Sequence, residues 1–385
     1  MTQSVFNHVK ITGIAAVVPE KEICLADEAQ YYGNDLKKIE RTRKMVGFWN
    51  RRVVENGVTA SDLCVQAAKR LLNDMSVNKD EIDALVFVVQ NPDYKIPATA
   101  CVIHDQLDLP QSCPAFDVNQ GCSGYVYGLW LASALIEGGQ CRKVLLLAGD
   151  TCSTNTDSRN RVTAPVFGDA GTATLIEFSA KENKSFFELG TNGKGHEAII
   201  VPAGCAKIPL ARNPAENKEL CDDIQNGGNT THLIDIYMDA AAVFNFTMTV
   251  VPPHIKSLMA FANSTPADID CLVLHQANKQ IIQMIGAATG FPADKVPCST
   301  VEKFGNQTIA SVPCVLCDVL REKLEKQPLK LLLSGFGVGL SWASCVLETK
   351  EVYCADIEDF KPDASFTAKK SLIKKWIHKL QGENK

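Results

Sequence analysis

The stretch Ile82-Asp83-Ala84-Leu85-Val86-Phe87 returns as Ile269-Asp270-Cys271-Leu272-Val273-Leu274, 187 residues further on. Lys143-Val144-Leu145-Leu146 returns as Lys330-Leu331-Leu332-Leu333 at the same offset of 187. Short aliphatic segments resemble one another in any protein, so either match alone carries little weight. Two matches at one offset predict a chain built from two similar halves. The runs Leu85–Val89, Val144–Ala148, Cys271–Leu274 and Leu329–Leu333 are short and continuously aliphatic, the pattern of strands buried on both faces. Longer helical patterns lie between them. Tyr125–Ile136 is apolar almost all round, which predicts a buried helix, and Gly138-Gly139 would end it. Ser311–Leu324 also reads as a helix, with Pro313 in its first turn. Strand–helix alternation in both halves predicts an α/β fold with largely parallel sheets. Residues 211–230, rich in Asn, Asp and Gly, read as a loop or lid, and residues 350–364 as a linker.

The bulk numbers agree with a large folded protein. Of 385 residues, 46% are hydrophobic and 22% charged, which excludes a disordered or collagenous chain. The net charge of −5 gives no nucleic-acid footprint. No apolar run reaches the length of roughly 18 residues that spans a bilayer. The first residues lack the basic and apolar regions of a signal peptide. The fifteen cysteines are scattered, mostly through apolar runs, as Cys101, Cys271 and Cys345 are. That pattern predicts buried free thiols in a reducing cytoplasm, not a disulfide framework.

Three turns carry candidate chemistry. Cys122, in Asn119-Gln120-Gly121-Cys122-Ser123-Gly124, falls between a short strand and the buried helix. A helix N-terminus offers free N–H groups and partial positive charge, which is expected to lower the thiol pKa. Its own N–H could face an oxyanion. The alternative is a small buried residue, like most of the other cysteines. His275, in His275-Gln276-Ala277-Asn278, follows directly on a strand, where ligands and catalytic groups gather in such folds. Asn306, in Gly305-Asn306-Gln307-Thr308, lies near the repeat counterpart of the Cys122 turn, so a pseudo-twofold fold would bring the two turns together. On its own, Asn306 reads as well as a helix cap.

Two further motifs are set aside. Gly335-Phe336-Gly337-Val338-Gly339 looks like a dinucleotide loop, but Trp342–Leu347 after it reads as a strand, where a nucleotide fingerprint needs a helix. An oxyanion loop fits better. Cys314-Val315-Leu316-Cys317 has metal-ligand spacing, but no second pair accompanies it, so packing is the expectation and no metal is assigned.

These motifs together resemble the β-ketoacyl-acyl carrier protein synthase III enzymes of the thiolase superfamily. The resemblance runs over roughly residues 8–348. It rests on Cys122 in Gly-Cys-Ser-Gly, His275 in His-Gln-Ala-Asn, Asn306 in Gly-Asn-Gln-Thr, Phe167-Gly168-Asp169-Ala170-Gly171 and the Phe336–Gly339 loop, all in the family's order. It implies a five-layered α-β-α-β-α sandwich of two duplicated halves, in a homodimeric, cytoplasmic acyltransferase of lipid metabolism and fatty acid biosynthesis. The expected division is 1–180 with the nucleophile, 181–350 with His275 and Asn306, and a C-terminal extension over 351–385.

The resemblance implies a decarboxylative Claisen condensation. Cys122 would take an acyl group from acyl-CoA or an acyl carrier, and malonyl-acyl carrier protein would then lose carbon dioxide and attack it. His275 and Asn306 would stabilise the enolate. The N–H groups of Cys122 and Val338 would form the oxyanion hole, and Phe336 would shield the thiol. Arg161 would contact the CoA nucleotide and Asn278 the pantetheine arm. No cofactor beyond the thioester substrate is implied.

The chain departs from the family in three places. Ile39–Val46, before Gly47-Phe48, has no tryptophan where one stacks on adenine. Gln280 replaces an arginine, and about 35 residues are added at the end. A specialised relative is therefore expected. The alternative function is a non-condensing acyltransferase passing the Cys122 acyl group to an alcohol or amine. Hydroxymethylglutaryl-CoA synthase chemistry would need a glutamate near Gln90-Asn91-Pro92-Asp93, and none is there. The tail from Phe366 to Lys385 has six lysines, and Phe366, Ile373, Trp376, Ile377 and Leu380 fall near one helical face. It reads either as a helix docked on the body or as a weak contact to a membrane surface or acidic carrier.

Overall fold

The computed structural model describes residues 2–381, apart from 48, 56, 227, 363–365, 367 and 368. Two mixed sheets form its frame, the first of seven strands, two of them short additions along Val9–Val18, and the second of five. In the first, the strand order is Val9–Val18, Ala170–Phe178, Lys143–Asp150, Ala84–Val88, Ala115–Val118. In the second it is Thr2–Phe6, Ser185–Thr191, Ser341–Thr349, Leu329–Gly337, Cys271–Leu274.

The duplication extends to register. Ala84 pairs with Val144 in parallel, and Cys271 pairs with Leu331 in parallel. Both residues of the second pair lie 187 positions beyond those of the first. The next two pairings outward are antiparallel in each sheet. The expectation of largely parallel sheets is therefore corrected. The connections from Leu329–Gly337 to Ser341–Thr349 and from Lys143–Asp150 to Ala170–Phe178 return without a crossover helix, and only a crossover could make those pairs parallel.

Five layers follow from where the helices bury their faces. Gly124–Glu137 and the helix over 311–326 share one apolar cluster with strands of both sheets, so they form the central layer. Their starts, Gly124 and Ser311, are again 187 residues apart. The helix over 311–326 contains one π turn, Leu316–Leu320. Ala60–Asp74 covers the outer face of the first sheet, and Ala240–Phe261 that of the second. Gly139, at φ +77°, turns the chain out after Gly124–Glu137. Cys314 and Cys317 are buried, and Cys317 meets Cys354 at 3.7 Å between sulfurs, so that pair packs the core.

The chain ends cross between halves. Thr2–Phe6 edges the second sheet along Ser185–Thr191. Tyr353–Cys354 and Glu358–Asp359 pair in parallel with Val9–Val18 of the first. Residues 350–364 are thus no linker over their described part: Val352, Cys354, Ala355 and Phe360 are buried, and Arg70 holds Asp356 and Glu358. Residues 211–230 carry short helices and the hairpin Ile224–Asn226/Asn229–Thr231. Among the described residues no helix is long and apolar enough to cross a membrane.

Candidate active site

Strand ends and helix starts from both halves enclose a cavity of about 630 Å³. Cys122, His275, Asn306, Asn278, Phe336 and Val338 all line it. Cys122 stands between Ala115–Val118 and Gly124–Glu137, as the sequence predicts. Its turn is clamped from the other half. A Cβ built on Gly335 would meet the Cys122 carbonyl oxygen at 2.7 Å, and one on Gly337 would meet Sγ at 2.8 Å. Only glycine allows so close an approach, and Gly337 also has φ +154°. Ser341 Oγ bonds Ser123 Oγ at 2.7 Å and donates to the Val338 carbonyl at 2.8 Å, tying the loop to the nucleophile turn.

The thiol departs from the helix-terminus expectation. Burial pushes the Cys122 pKa up to about 11, against the backbone N–H groups of Val338 and of Cys122 itself, while the Asp150 carboxylate pushes it further up. The two N–H groups do converge on the sulfur, but removal from water outweighs them. Cys122 is thus a neutral thiol at rest. His275 is its counterpart, with burial lowering its pKa to about 4, opposed only by the backbone of Thr308. Its ring meets Phe336 edge-on at 5.5 Å between centroids, and Nδ1 has no hydrogen-bond partner. Burial thus favours the neutral imidazole, which can offer an N–H but no cationic charge.

Asn306 is fixed through its backbone and amide oxygen. Its N–H donates to the Val166 carbonyl at 3.0 Å, and its carbonyl accepts from Gly168 N–H at 2.9 Å. Oδ1 accepts from Thr308 N–H at 2.9 Å, which leaves Nδ2 as the amide group available to the cavity. Asn278 caps Lys279–Thr289, with Oδ1 accepting from Ile281 N–H at 2.8 Å.

Arg161 stands apart from these residues. It does not line the cavity, and its side chain is 9% exposed. Its guanidinium donates to Glu28 at 2.7 Å, the Tyr32 hydroxyl at 2.9 Å and the Ser158 carbonyl at 2.6 Å. Arg51 occupies the other side of Glu28 through two bonds of 3.0 and 2.7 Å. The structure also supplies groups that sequence reasoning passed over. Gln90, Asn119, Asp150 and Cys152 line the cavity. Their signal was position, since each ends or follows a strand of the first sheet. Trp49, three residues beyond Ile39–Val46, lies with its ring 5.5 Å from the Arg43 guanidinium. Phe48 itself lies outside the described residues.

One cluster has metal-ligand composition: Asp157, His232 and Asp235. His232 Nδ1 already bonds Asp235 at 2.8 Å and Nε2 bonds Asp223 at 3.0 Å, while Arg159 forks Asp157 and Asp223. The carboxylates are neutralised by cations of the chain, so the group works as an ion-pair latch across the hairpin region.

The family profile described as 3-oxoacyl-[acyl-carrier-protein (ACP)] synthase III matches residues 116–195, and its C-terminal profile matches residues 259–349. A Campylobacter jejuni protein provisionally named 3-oxoacyl-[acyl-carrier-protein] synthase 3 is 37% identical, covering 91% of this chain and 97% of the relative. A β-ketoacyl-[acyl-carrier-protein] synthase III of Caldanaerobacter subterraneus is 31% identical, covering 88% and 97%. The crystal structure of a 3-oxoacyl-(acyl-carrier protein) synthase from Burkholderia xenovorans superposes with a TM-score of 0.85 at 34% identity, over 93% of this chain and 99% of that one.

Proposed function

The chain belongs to the 3-oxoacyl-[acyl-carrier-protein] synthase III family of acyltransferases, and from that premise we propose how its residues divide the work. The reaction is condensation of an acyl thioester with malonyl-acyl carrier protein by way of an acyl-Cys122 intermediate, giving a β-ketoacyl thioester. The observation that carries the assignment is one cavity lined by Cys122 from the first half and by His275 and Asn306 from the second. The division into 1–180, 181–350 and 351–385 is proposed on the same ground, with the ends crossing between the two sheets as described.

A thiol with a pKa near 11 loses its proton only as attack proceeds. Cys122 Sγ adds to the thioester carbonyl, and the oxyanion points at the N–H groups of Cys122 and Val338. Collapse expels the donor thiol, which leaves with the proton. The malonyl thioester then loses carbon dioxide, and its oxygen gains charge as an enolate. Neutral His275 and the Asn306 amide donate to that oxygen in a site kept dry by burial, where preorganised donors act most strongly. The enolate carbon attacks the acyl-Cys122 carbonyl and releases the thiolate, which takes a proton from water to return to the resting thiol. Phe336, edge-on to His275, walls the thiol from water.

The finer points belong to the same proposal. The acyl donor is carried on CoA or on acyl carrier protein, with no resident cofactor. Asn278 lies where the arm of the thioester would enter, whereas Arg161 would have to leave Glu28 to reach a nucleotide. The protein is proposed to be a homodimer; Ile96 is 86% exposed beside the strand-end loops, which suits a subunit contact. A reducing cytoplasm suits fifteen cysteines that are all free thiols. The tail is proposed to touch an anionic membrane surface weakly.

The deciding experiment is intact-protein mass after incubation with a panel of acyl-CoAs and acyl carriers, followed by malonyl-carrier, with Cys122→Ala as the blank. An acyl mass on the wild type that malonyl-carrier clears into a β-ketoacyl product supports condensation. An acyl mass that malonyl-carrier leaves in place would move the assignment to transfer onto an alcohol or amine.

A further inference from the structure

The walls of the cavity differ in chemistry. Ile199, Val201, Ile236, Met238 and Phe244 give the cavity apolar lining, and Ile236 shares an apolar cluster with Cys152. The floor beside Cys122 is polar and comes from neighbouring strands of the first sheet. Val88 pairs with Ala148 on one flank and with Val118 on the other. Two residues beyond the first pair stand Gln90 and Asp150, at one level of the sheet. Asn119 follows Val118, and Cys152 and Asn155 come from the turn after Asp150. All five line the cavity.

These groups are held in place without being saturated. Asp150 is fully buried; Oδ1 accepts from Thr151 N–H at 3.0 Å, and Oδ2 meets the Cys152 thiol, a weak donor, at 3.5 Å. Gln90 and Asn155 are half-buried and Asn119 is exposed, so their side-chain amides are open to the cavity and its water. None of them has a task in the condensation. Gln90 is nonetheless close to the nucleophile: a Cβ on Gly121 would meet its Oε1 and Nε2 at 3.1 Å. A bare alkyl chain on Cys122 would strip water from these groups and return no hydrogen bond.

Resting on the acyl-Cys122 reading, we propose that the preferred acyl donor carries a hydroxyl group within a few carbons of its thioester, received by Asp150, Gln90 and Asn155. A hydroxyl both donates and accepts. It can hydrogen-bond the Asp150 carboxyl group in either protonation state and accept from an amide. An ammonium fits less well, because the floor has one carboxyl group, already engaged, and the amides add no charge to balance the cation. The apolar lining residues next to this group accommodate the rest of the chain.

The test measures the rate at which intact Cys122 gains acyl mass from butyryl and from each enantiomer of 3-hydroxybutyryl thioester, delivered on CoA and on acyl carrier protein. The expected result is that one hydroxylated enantiomer acylates at least about tenfold faster, as a site built to bond a hydroxyl discriminates. Gln90→Leu and Asn155→Leu should each bring the ratio toward one. Equal rates, or faster butyryl transfer, in the wild type would overturn the inference and leave acyl-Cys122 standing. No acyl mass from any donor, with Cys122 still alkylated by iodoacetamide, would overturn the reading itself and the inference with it.

Discussion

Gly337 lies against Cys122 so closely that a Cβ on it would come within 2.8 Å of the sulfur and 2.9 Å of the cysteine Cβ. The contact joins the two halves at the reacting atom. Gly337→Ala has no room, and φ +154° strains any side chain there. The loop must shift, carrying the Val338 N–H with it. A displacement of that size costs about 100-fold in rate where positioning matters. Cys122 acylation is expected to fall by that order while the far-ultraviolet circular dichroism spectrum is kept. Acylation within threefold of wild type would mean that the loop does not position the oxyanion donor.

His275 and Asn306 should matter unequally in the two half-reactions. In the proposed reaction both donate to an enolate, which forms only after decarboxylation. His275→Ala and Asn306→Ala are each expected to slow carbon dioxide release from malonyl-carrier by about 10²–10³-fold, the usual loss of one preorganised donor. Acylation of Cys122 should fall far less. Equal loss in both half-reactions would assign these residues to folding or to acyl transfer.

Much of this arrangement was legible in the sequence, and the failures share one cause. The 187-residue offset found the duplication because matched strands keep matched register, as Ala84–Val144 and Cys271–Leu331 do. Cys122, His275 and Asn306 stood out because each lies in a local strand–turn–helix punctuation. Arg161 did not declare its role, since its carboxylate partner, Glu28, is far away in the chain. Helix position suggested a low thiol pKa for Cys122, whereas the Phe336–Val338 loop and the surrounding core bury the sulfur and raise it. Residues 350–364 read as a linker because the strands within them, of two residues each, leave no periodicity to read.

Glu28 is predicted to be a stability residue. It is buried and bonds Arg51 and Arg161, whose side chains are 6% and 9% exposed. Glu28→Ala would leave two buried guanidinium groups without their anion, a change expected to cost about 3–5 kcal/mol. Urea unfolding measures it. Burial opposes ionisation of Glu28, but its bonds to the two arginines prevail and lower its pKa. Its stabilising contribution is therefore complete above the ordinary glutamate pKa and is lost as pH falls through the lower folded value. A loss below about 1 kcal/mol would show that the guanidinium groups find water or other acceptors.

Asp150 should work in the opposite sense. Burial raises its pKa from 3.8 to about 7. Between those values the folded protein binds the proton more tightly than the unfolded chain, so this group's contribution to stability falls as pH rises from about 4 to 7. Asp150→Asn removes the titration. Relative to wild type, its stability should climb over that window, by on the order of 4 kcal/mol in total. A pH-independent difference between the two proteins would place the Asp150 pKa outside the window.

The C-terminal helix Lys369–Leu380 is predicted to be dispensable for chemistry and needed for surface contact. Its apolar residues Ile373, Trp376 and Leu380 are 50%, 48% and 85% exposed, so the helix is not docked on the body by that face. Phe366, by contrast, meets Phe360 edge-on at 6.0 Å and anchors the start of the tail. The helix carries Lys369, Lys370, Lys374, Lys375 and Lys379 and no acid, in a chain whose net charge is −5. Exposed apolar residues and lysines on one short helix, with Lys379 Nζ 5.2 Å from the Trp376 ring centre, suit the boundary of an anionic bilayer, with each cation contributing about 1 kcal/mol near the surface. Ending the chain after Phe366 should therefore leave the melting temperature and the acylation rate unchanged. Sedimentation with phosphatidylglycerol vesicles should be lost, while neutral phosphatidylcholine vesicles bind neither form, and wild-type binding should weaken as salt rises. If the truncated chain instead melts several degrees lower and vesicle binding is the same for both forms, the helix packs on the protein and the membrane contact is wrong. If truncation spares vesicle binding but weakens the reaction with malonyl-carrier, the acidic carrier is the partner of this face.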